Sequence, residues 1–351
     1  MNKNSFKVSY VTTLPKEGNA PRVTITGNIP HKYRVTFSES INDSEVILVS
    51  EGYCNNNQTI IGKTKQWFTL WVISVFDENN ELVFTDVFNP NGRVIFIKMD
   101  AYALGDSIAW IPYVEAFRKK YWCRVICSTF HNYLFVDSYP NILFIKPDSV
   151  IENVYAQYYI GAANDGNQYY SPIKVNEHPL QDVASSILGL NRIEMRPDLR
   201  DRYKHTNSRV EGKYVTLSEF GSTQEKEWKV AGGWQGVVNY LNDKGYKVLV
   251  ISKEKTNLIN VIDLTGNISL DERAIDMLHA DFHLGVSSGL SWLAWGLGKH
   301  TVMISDVTPS WHEFKSDITR INASNLDAVN YLSDSQSSLE NVLISIGDLT
   351  L

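Results

Sequence analysis

The chain has 351 residues, of which 43% are hydrophobic and 21% charged, and its formal net charge is −6. A chain of this length can form two or three domains with large cores, so neither a disulfide nor a structural metal is required for folding. The negative charge argues against a generally basic nucleic-acid-binding protein, although a local basic groove is compatible with it.

The three cysteines, Cys54, Cys123 and Cys127, form an odd and sparse set, which suits a reducing compartment. No second pair accompanies Cys123 and Cys127, so we predict buried thiols and no metal or other cofactor. The first residues lack the apolar run of a signal peptide, and no stretch reaches the ~18 apolar residues that span a bilayer. The expected location is the cytoplasm, with no membrane partner.

Residues 1–92 have the pattern of an all-β domain, because short runs rich in β-branched and aromatic residues alternate with turn-forming segments. The predicted strands are 6–11, 22–26, 33–37, 45–49, 67–76 and 82–88. The segment 77–80 (DENN) predicts a hairpin between the last two strands. We expect a sandwich or barrel-like accessory domain without catalytic residues.

From Gly92 the pattern changes to alternating strands and helices, and we assign a first lobe to 93–205. Residues 93–98 (RVIFIK) form a continuous apolar run, typical of a parallel strand buried on both faces. A loop of small residues, 99–107, precedes a helical pattern that ends near Tyr121. Further strands are predicted at 124–128 and 142–145 and a helix at 183–188. This order predicts a parallel sheet.

The same pattern starts again in a second lobe, which we assign to 206–351. Strands are predicted at 214–217, 247–252, 282–286 and 301–304, and helices at 234–241, 270–279, 290–297 and 338–346. Two doubly wound α/β lobes in tandem place a cleft between the carboxyl ends of two sheets. Such a cleft suits two ligands that react across it.

The first candidate for chemistry is the triplet Leu104, Gly105 and Asp106, which follows the first strand of the first lobe. We expect Gly105 to permit a tight turn and Asp106 to lie at a helix N-terminus facing the cleft. A carboxylate there can accept the proton of an attacking hydroxyl group. Helix N-capping is the alternative role, and the triplet alone favours it.

Two further candidates lie in the second lobe. The loop 222–228 (STQEKEW) contains Lys226, which can offset the growing charge of a phosphate leaving group, although a solvated surface lysine is the alternative. Residues 285–292 (GVSSGLSW) lie between a strand and a helix, where free N–H groups can bind a diphosphate; an ordinary turn with a serine N-cap is an equal alternative. The segment is neither a dinucleotide fingerprint nor a P-loop, and no Asp-x-Asp triplet for a metal-held nucleotide is present.

The stretches 93–135, 282–305 and 309–314 (PSWHEF) resemble the bacterial autotransporter heptosyltransferases, and the resemblance covers roughly residues 30–315. It implies a GT-B fold of two Rossmann-like lobes behind an N-terminal β domain. It also implies metal-independent, inverting transfer from a nucleoside-diphosphate sugar. By this resemblance Asp106 matches the proposed catalytic base, Lys226 the phosphate-contacting lysine, and Ser287, Ser288 and Gly289 the diphosphate loop.

The remaining candidates lie on the two sides of the expected cleft. Those on the donor side are Ser222, Thr223, Gln224, Trp228, Ser252 and Leu290, with the base and ribose expected near 252–255 and Trp234. Those on the acceptor side are Asp100, Leu104, Gly105 and His131, the last because it follows a strand end.

The chain departs from the family in one respect. Members that glycosylate autotransporters carry a cysteine-rich metal finger near the C-terminus, whereas no cysteine follows Cys127 here. The sequence therefore leaves three functions open: heptosyl-type transfer to protein serine or threonine, transfer to hydroxymethylated cytosine in DNA by a phage enzyme in the host cytoplasm, and nucleotide-sugar binding without catalysis. The oligomeric state is not predicted.

Overall fold

The computed structural model describes residues 4–12, 18–42, 45–63, 67–99, 101–161, 171–174, 177–305, 307–321 and 338–350. These residues form two antiparallel β-sheets, followed along the chain by two parallel sheets that pack against helices. No helix in these ranges is long and apolar enough to cross a bilayer. The predicted α/β class with an N-terminal β region is therefore confirmed.

The N-terminal region contains the antiparallel sheets. Its strands are β1 (Ser5–Ser9), β2 (Arg22–Thr26), β3 (Lys32–Asn42), β4 (Glu45–Asn55), β5 (Gln58–Ile61), β6 (Trp71–Phe76) and β7 (Leu82–Val87). One sheet has the order β1-β2-β5 and the other β4-β3-β6-β7. Side chains of β6 alternate between buried and half-buried, so one face of this sheet covers the core. The hairpin predicted at 77–80 joins β6 and β7, whereas the short strand β5 was not predicted.

The next parallel sheet has the order β10-β9-β8-β11 and belongs to the first lobe. Its elements are β8 (Val94–Met99), α1 (Leu104–Tyr121), β9 (Arg124–Thr129), α2 (Asn132–Phe135), β10 (Ile142–Ile145), β11 (Ala156–Ile160) and α3 (Leu180–Ile187). Helix α1 begins at Leu104, within the segment 99–107 that was predicted to be a loop. Strand β11 was not predicted, although it pairs with β8 and completes the sheet.

The second lobe has a parallel sheet in the order β14-β13-β12-β15-β16-β17. Its elements are β12 (Tyr214–Ser218), α4 (Gly233–Asp243), β13 (Lys247–Val250), β14 (Ile262–Asp263), α5 (Leu270–His279), β15 (His283–Val286), α6 (Gly289–Gly296), β16 (Thr301–Ile304), β17 (Ile318–Ile321) and α7 (Leu339–Gly347). All residues of β12, β15 and β16 are buried, as expected for strands covered on both faces. Strands β14 and β17, at the two edges, were not predicted.

The hydrophobic core joins the parts of the chain. One cluster of buried residues runs from the N-terminal sheets through the first lobe to α6, and includes Tyr10, Trp110 and Trp295. A second cluster lies within the second lobe, between its sheet and α4 and α7. The predicted thiols of Cys54, Cys123 and Cys127 are buried and free. Because α6 shares the first cluster, the two lobes meet through packed side chains at this point.

Candidate active site

The N-terminal ends of α1 and α6, one from each lobe, lie in direct contact. A methyl group on Gly289 would lie 2.8 Å from the Cβ atom of Leu104, and one on Gly105 would lie 2.8 Å from Cδ1 of Trp292. Contacts this short are not tolerated, so both positions depend on glycine for the close approach of the helices. The prediction that Gly105 forms a tight turn was wrong, because Gly105 lies inside α1 and makes room for Trp292.

Asp106 lies in the first turn of α1, at this contact between the helices. The N-cap residue is Ala103, so the alternative capping role for Asp106 is not what the structure shows. Burial raises the pKa of the Asp106 carboxyl to about 6, and the charge of Lys226 opposes this rise. At neutral pH most of the carboxyl is ionised, and it is a stronger proton acceptor than an exposed aspartate.

Lys226 reaches the same place from the second lobe. It ends a single 3-10 turn, Gln224–Lys226, in the loop that follows β12. Its side chain passes Gly221 so closely that a methyl group on Gly221 would lie 2.9 Å from the Lys226 Cβ atom. Burial lowers the pKa of Lys226, whereas the Asp106 charge raises it. The carboxylate and the ammonium group thus belong to different lobes and interact electrostatically.

The loop between β15 and α6 lies beside these two groups. Ser287 is buried, and its hydroxyl donates to Oε1 of Glu313 at 2.6 Å. Ser288 is the N-cap of α6, and its buried Oγ atom has no hydrogen-bond partner among the described residues. Gly289 and Leu290 are half-buried. The first N–H groups of a helix lack intrahelical partners, so this loop offers donors that suit an anion.

The other predicted donor-side residues occupy varied environments. Ser222, Thr223 and Gln224 are exposed, on the loop that leads to Lys226. Ser252 is buried after β13, and its hydroxyl accepts a hydrogen bond of 3.0 Å from the backbone N–H of Glu219. The exposed residues are free to contact a ligand, whereas Ser252 joins the ends of two neighbouring strands.

Trp228 and Trp234 do not line an open surface. Their exposed fractions are 5% and 9%, and their rings pack edge to face with centroids 5.0 Å apart. Both rings belong to the hydrophobic core of the second lobe. The expectation that they contact the donor is corrected accordingly, because this packing leaves little ring surface for a ligand.

On the acceptor side, His131 lies next to the segment that leads into α1. Its Nε2 atom is 3.1 Å from the carbonyl oxygen of Tyr102, and the Tyr102 ring stacks on Phe130 with centroids 3.8 Å apart. Leu104 starts α1 and packs against Gly289. Asp100 lies outside the described residues. His131, Leu104 and Gly105 are therefore grouped around the entrance of α1.

Two residues near the site were not assigned from the sequence. Burial, Lys226 and Arg320 lower the pKa of His312 to about 4, so its imidazole is neutral at pH 7. Glu219 follows β12 directly; burial raises its pKa, and its Oε2 atom has no partner within the described parts of the chain. The only sequence signal for Glu219 was an acidic residue immediately after a buried strand.

No family model matches the chain. The chain is 31% identical to the autotransporter heptosyltransferase Aah of Escherichia coli over 274 residues, which are 74% of this chain and 69% of Aah. It belongs to the autotransporter heptosyltransferase family. The resemblance noted in the sequence is thereby confirmed. The relatives include heptosyltransferases such as Aah, which are glycosyltransferases, and one that is named as inactive, BimC of Burkholderia thailandensis.

Solved structures of heptosyltransferases share the fold of this family member. Dodecameric iron-containing TibC of Escherichia coli, in complex with ADP-D-beta-D-heptose, has a TM-score of 0.79 at 23% identity, over 99% of this chain and 95% of TibC. The heptosyltransferase WaaC of Escherichia coli with ADP has a TM-score of 0.53 at 12% identity, over 73% of this chain and 99% of WaaC. The predicted GT-B architecture is confirmed.

TibC contains iron, but the side chains described here do not fit such a site. Within the described ranges, no group of three or more histidine, cysteine, aspartate and glutamate side chains is placed to hold a metal ion. Cys123 and Cys127 are buried free thiols in the first lobe.

Proposed function

We propose that the protein transfers a sugar from a nucleoside-diphosphate sugar to a serine or threonine hydroxyl of a protein acceptor. The observation that carries this proposal is the contact between the starts of α1 and α6, which places Asp106 in the first turn of α1 beside the loop before α6. Lys226 of the second lobe lies near enough for its charge to act on the pKa of Asp106. A base on one side and a cation with free N–H groups on the other are what displacement of a diphosphate requires.

In the proposed reaction, Asp106 accepts the proton of the acceptor hydroxyl as its oxygen attacks the anomeric carbon. The attack comes from the face opposite the diphosphate, so the configuration at that carbon is inverted. The bond between the anomeric carbon and the diphosphate breaks, and its electron pair leaves with the diphosphate. Burial raises the pKa of Asp106 to about 6, which is close to neutral pH. The carboxylate is therefore a stronger proton acceptor than an exposed aspartate.

The second lobe stabilises the negative charge that develops on the leaving diphosphate. Lys226 supplies a positive charge, and the start of α6 supplies the N–H groups of Ser288 and Gly289. The unpartnered hydroxyl of Ser288 is a further donor for a phosphate oxygen. We propose no metal ion in this step. Residues 93–205 then serve the acceptor, 206–351 the donor, and 1–92 form an accessory domain.

The family supports a protein acceptor and an ADP-linked sugar. Aah and TibC are named autotransporter heptosyltransferases, and TibC binds ADP-heptose. None of these relatives is named for DNA, and the net charge of −6 does not favour a polyanionic acceptor. We therefore propose ADP-heptose as the first donor to test and do not pursue DNA modification.

The test is donor turnover by purified protein with ADP-heptose and, separately, UDP-glucose, in the presence of a bacterial protein extract as the source of acceptor hydroxyls, measured as release of the nucleoside diphosphate. We expect release of ADP by the wild type and its loss in Asp106→Asn. Asp182→Asn is the matched control, since Asp182 also lies in the first turn of a helix of the first lobe and burial also raises its pKa. Near-normal turnover by Asp106→Asn would exclude the proposed role of the base.

A further inference from the structure

A buried polar cluster of Ser287, Thr308, Glu313 and Arg320, here called the Glu313 cluster, lies against the loop between β15 and α6. Glu313 is only 3% exposed, and its Oε1 atom accepts hydrogen bonds from the hydroxyls of Ser287 at 2.6 Å and Thr308 at 2.8 Å. Its other oxygen pairs with the guanidinium of Arg320, which also donates to the carbonyl of Thr308 at 2.6 Å. Every group in the cluster thus has a partner of suitable chemistry.

The segment that carries Glu313 is fixed at several points. Phe314 stacks on Trp295 of α6 with ring centroids 4.6 Å apart and lies edge to face with Trp292 at 5.1 Å. The carbonyl of His312 accepts a hydrogen bond of 2.9 Å from the backbone N–H of Leu180 in the first lobe. Glu313 is therefore a rigid point to which the adjacent loop can be attached.

The two serines of the loop have different surroundings. The Ser287 hydroxyl is committed to Glu313, whereas the Ser288 hydroxyl is buried with no partner among the described residues. A hydrogen bond to a carboxylate is stronger than one between neutral groups, so Ser287 is held firmly. A buried hydroxyl without a partner is unfavourable unless a ligand supplies one.

The charge of Glu313 cannot itself favour a diphosphate. A carboxylate next to an anion-binding loop repels the anion, and Arg320 offsets this repulsion through the ion pair. Glu313 can therefore assist diphosphate binding through the geometry of the loop, and not through its charge.

We propose that Glu313 is a positioning residue for the diphosphate. By holding Ser287, it fixes the loop so that the Ser288 hydroxyl and the first N–H groups of α6 meet the phosphate oxygens. This inference rests on the proposed function, since it concerns the same donor site. It assigns a role to a glutamate that lies 26 positions after the loop in the sequence.

The test measures ADP binding by calorimetry in the wild type, Glu313→Gln, Ser287→Ala and the double variant. Glu313→Gln removes a negative charge near an anion site, so electrostatics alone predicts tighter binding of ADP. Positioning predicts the opposite, a loss of about tenfold in affinity for each single variant. Glu313→Gln weakens the bond to Ser287, because a neutral amide oxygen is a weaker acceptor than a carboxylate, and Ser287→Ala removes it. The double variant should therefore lose no more than Ser287→Ala alone.

Ser305→Ala is the matched control, because the Ser305 hydroxyl bonds to Thr308 at 2.7 Å within the same region and makes no hydrogen bond to the loop among the described residues. Its affinity for ADP should equal that of the wild type. Ser287→Ala leaves the ion pair of Glu313 and Arg320 intact. It therefore tests the positioning role even if Glu313→Gln fails to fold, and thermal unfolding of each variant shows whether it is folded.

The outcomes separate this inference from the proposed function. If the wild type binds ADP and Ser287→Ala binds it equally well, the positioning role is wrong while the transferase proposal stands. Tighter binding by Glu313→Gln would also overturn it. A wild type that binds no nucleoside diphosphate overturns the proposed function, and this inference with it.

Discussion

At the scale of single residues, the pKa of Asp106 determines the expected dependence of activity on pH. Because the base must be ionised and its pKa is about 6, kcat/KM should rise with pH through about 6 and level off above it. Asp106→Asn should reduce kcat by about 10²- to 10⁴-fold and abolish this rise. Initial rates measured as a function of pH test both expectations. If the rise with pH persists in Asp106→Asn, another group is responsible for it.

The same pKa also predicts how Asp106 affects stability. Folding raises this pKa from its ordinary value of 3.8 to about 6, so the folded state favours the neutral carboxyl. The stability that the protonated group contributes is present below about pH 3.8 and is lost as the pH rises through about 6. At pH 8, the free energy of unfolding of Asp106→Asn should therefore exceed that of the wild type by up to about 3 kcal/mol, and its unfolding temperature should be higher.

Thermal unfolding at pH 8 and pH 4 measures this difference. The advantage of Asp106→Asn should shrink towards pH 4, where the wild-type carboxyl is also neutral. An advantage that is equal at both pH values would show that it does not come from the charge of Asp106.

Lys226 can be tested against a neighbour in the same loop. Lys226→Met should weaken ADP binding by about tenfold, because a partly buried cation next to the diphosphate is lost. Lys229→Met removes the same charge from an exposed position three residues further on and should leave binding almost unchanged. Calorimetry measures the affinity of both variants for ADP. Equal losses of affinity would show that Lys226 contributes only to the overall positive charge of the loop and makes no specific contact with the diphosphate.

At the scale of elements, the contact between α1 and α6 is the feature that assembles the site. Gly289→Ala places a methyl group 2.8 Å from the Cβ atom of Leu104, and overpacking of this kind costs about 1–3 kcal/mol. We expect a lower unfolding temperature and loss of turnover, since the helix starts are forced apart. Gly161→Ala is the control, because a methyl group there meets no atom of the described residues within 4 Å. A Gly289→Ala protein as stable and active as Gly161→Ala would show that close contact is unnecessary.

The strands and helices that follow a clear period were predictable from the sequence. The strand at 22–26 and the helix at 270–279 agree with β2 and α5 at both ends, and the serine–glutamate capping box of α5 explains its sharp start. The missed strands are short, and β14 and β17 lie at sheet edges. The start of α1 was placed too late because its small residues have the composition of a loop. In the structure these residues are helical and pack against α6 of the other lobe.

At the scale of the whole molecule, the alternation of strands and helices was enough to predict two lobes and a cleft. Asp106 and Lys226 could be assigned to the cleft because each follows a predicted strand, and ligands of parallel α/β sheets bind at the carboxyl ends of the strands. Trp228 could not be judged, because an aromatic residue in a loop has the same sequence signal in a core as at a ligand. The link between Ser287 and Glu313 was out of reach because it depends on contacts between segments far apart in the chain.

Asp106 and Lys226, from opposite lobes, are proposed to act together in transferring a sugar to a protein hydroxyl. Mass spectrometry of total protein from cells that make ADP-heptose and express the wild type, Asp106→Asn, Lys226→Met or Asp182→Asn is the decisive measurement for this proposal. We predict serine- or threonine-linked sugar with the wild type and Asp182→Asn, and little or none with the other two variants. Equal modification in cells expressing Asp106→Asn, or a sugar found on DNA and not on protein, would contradict it.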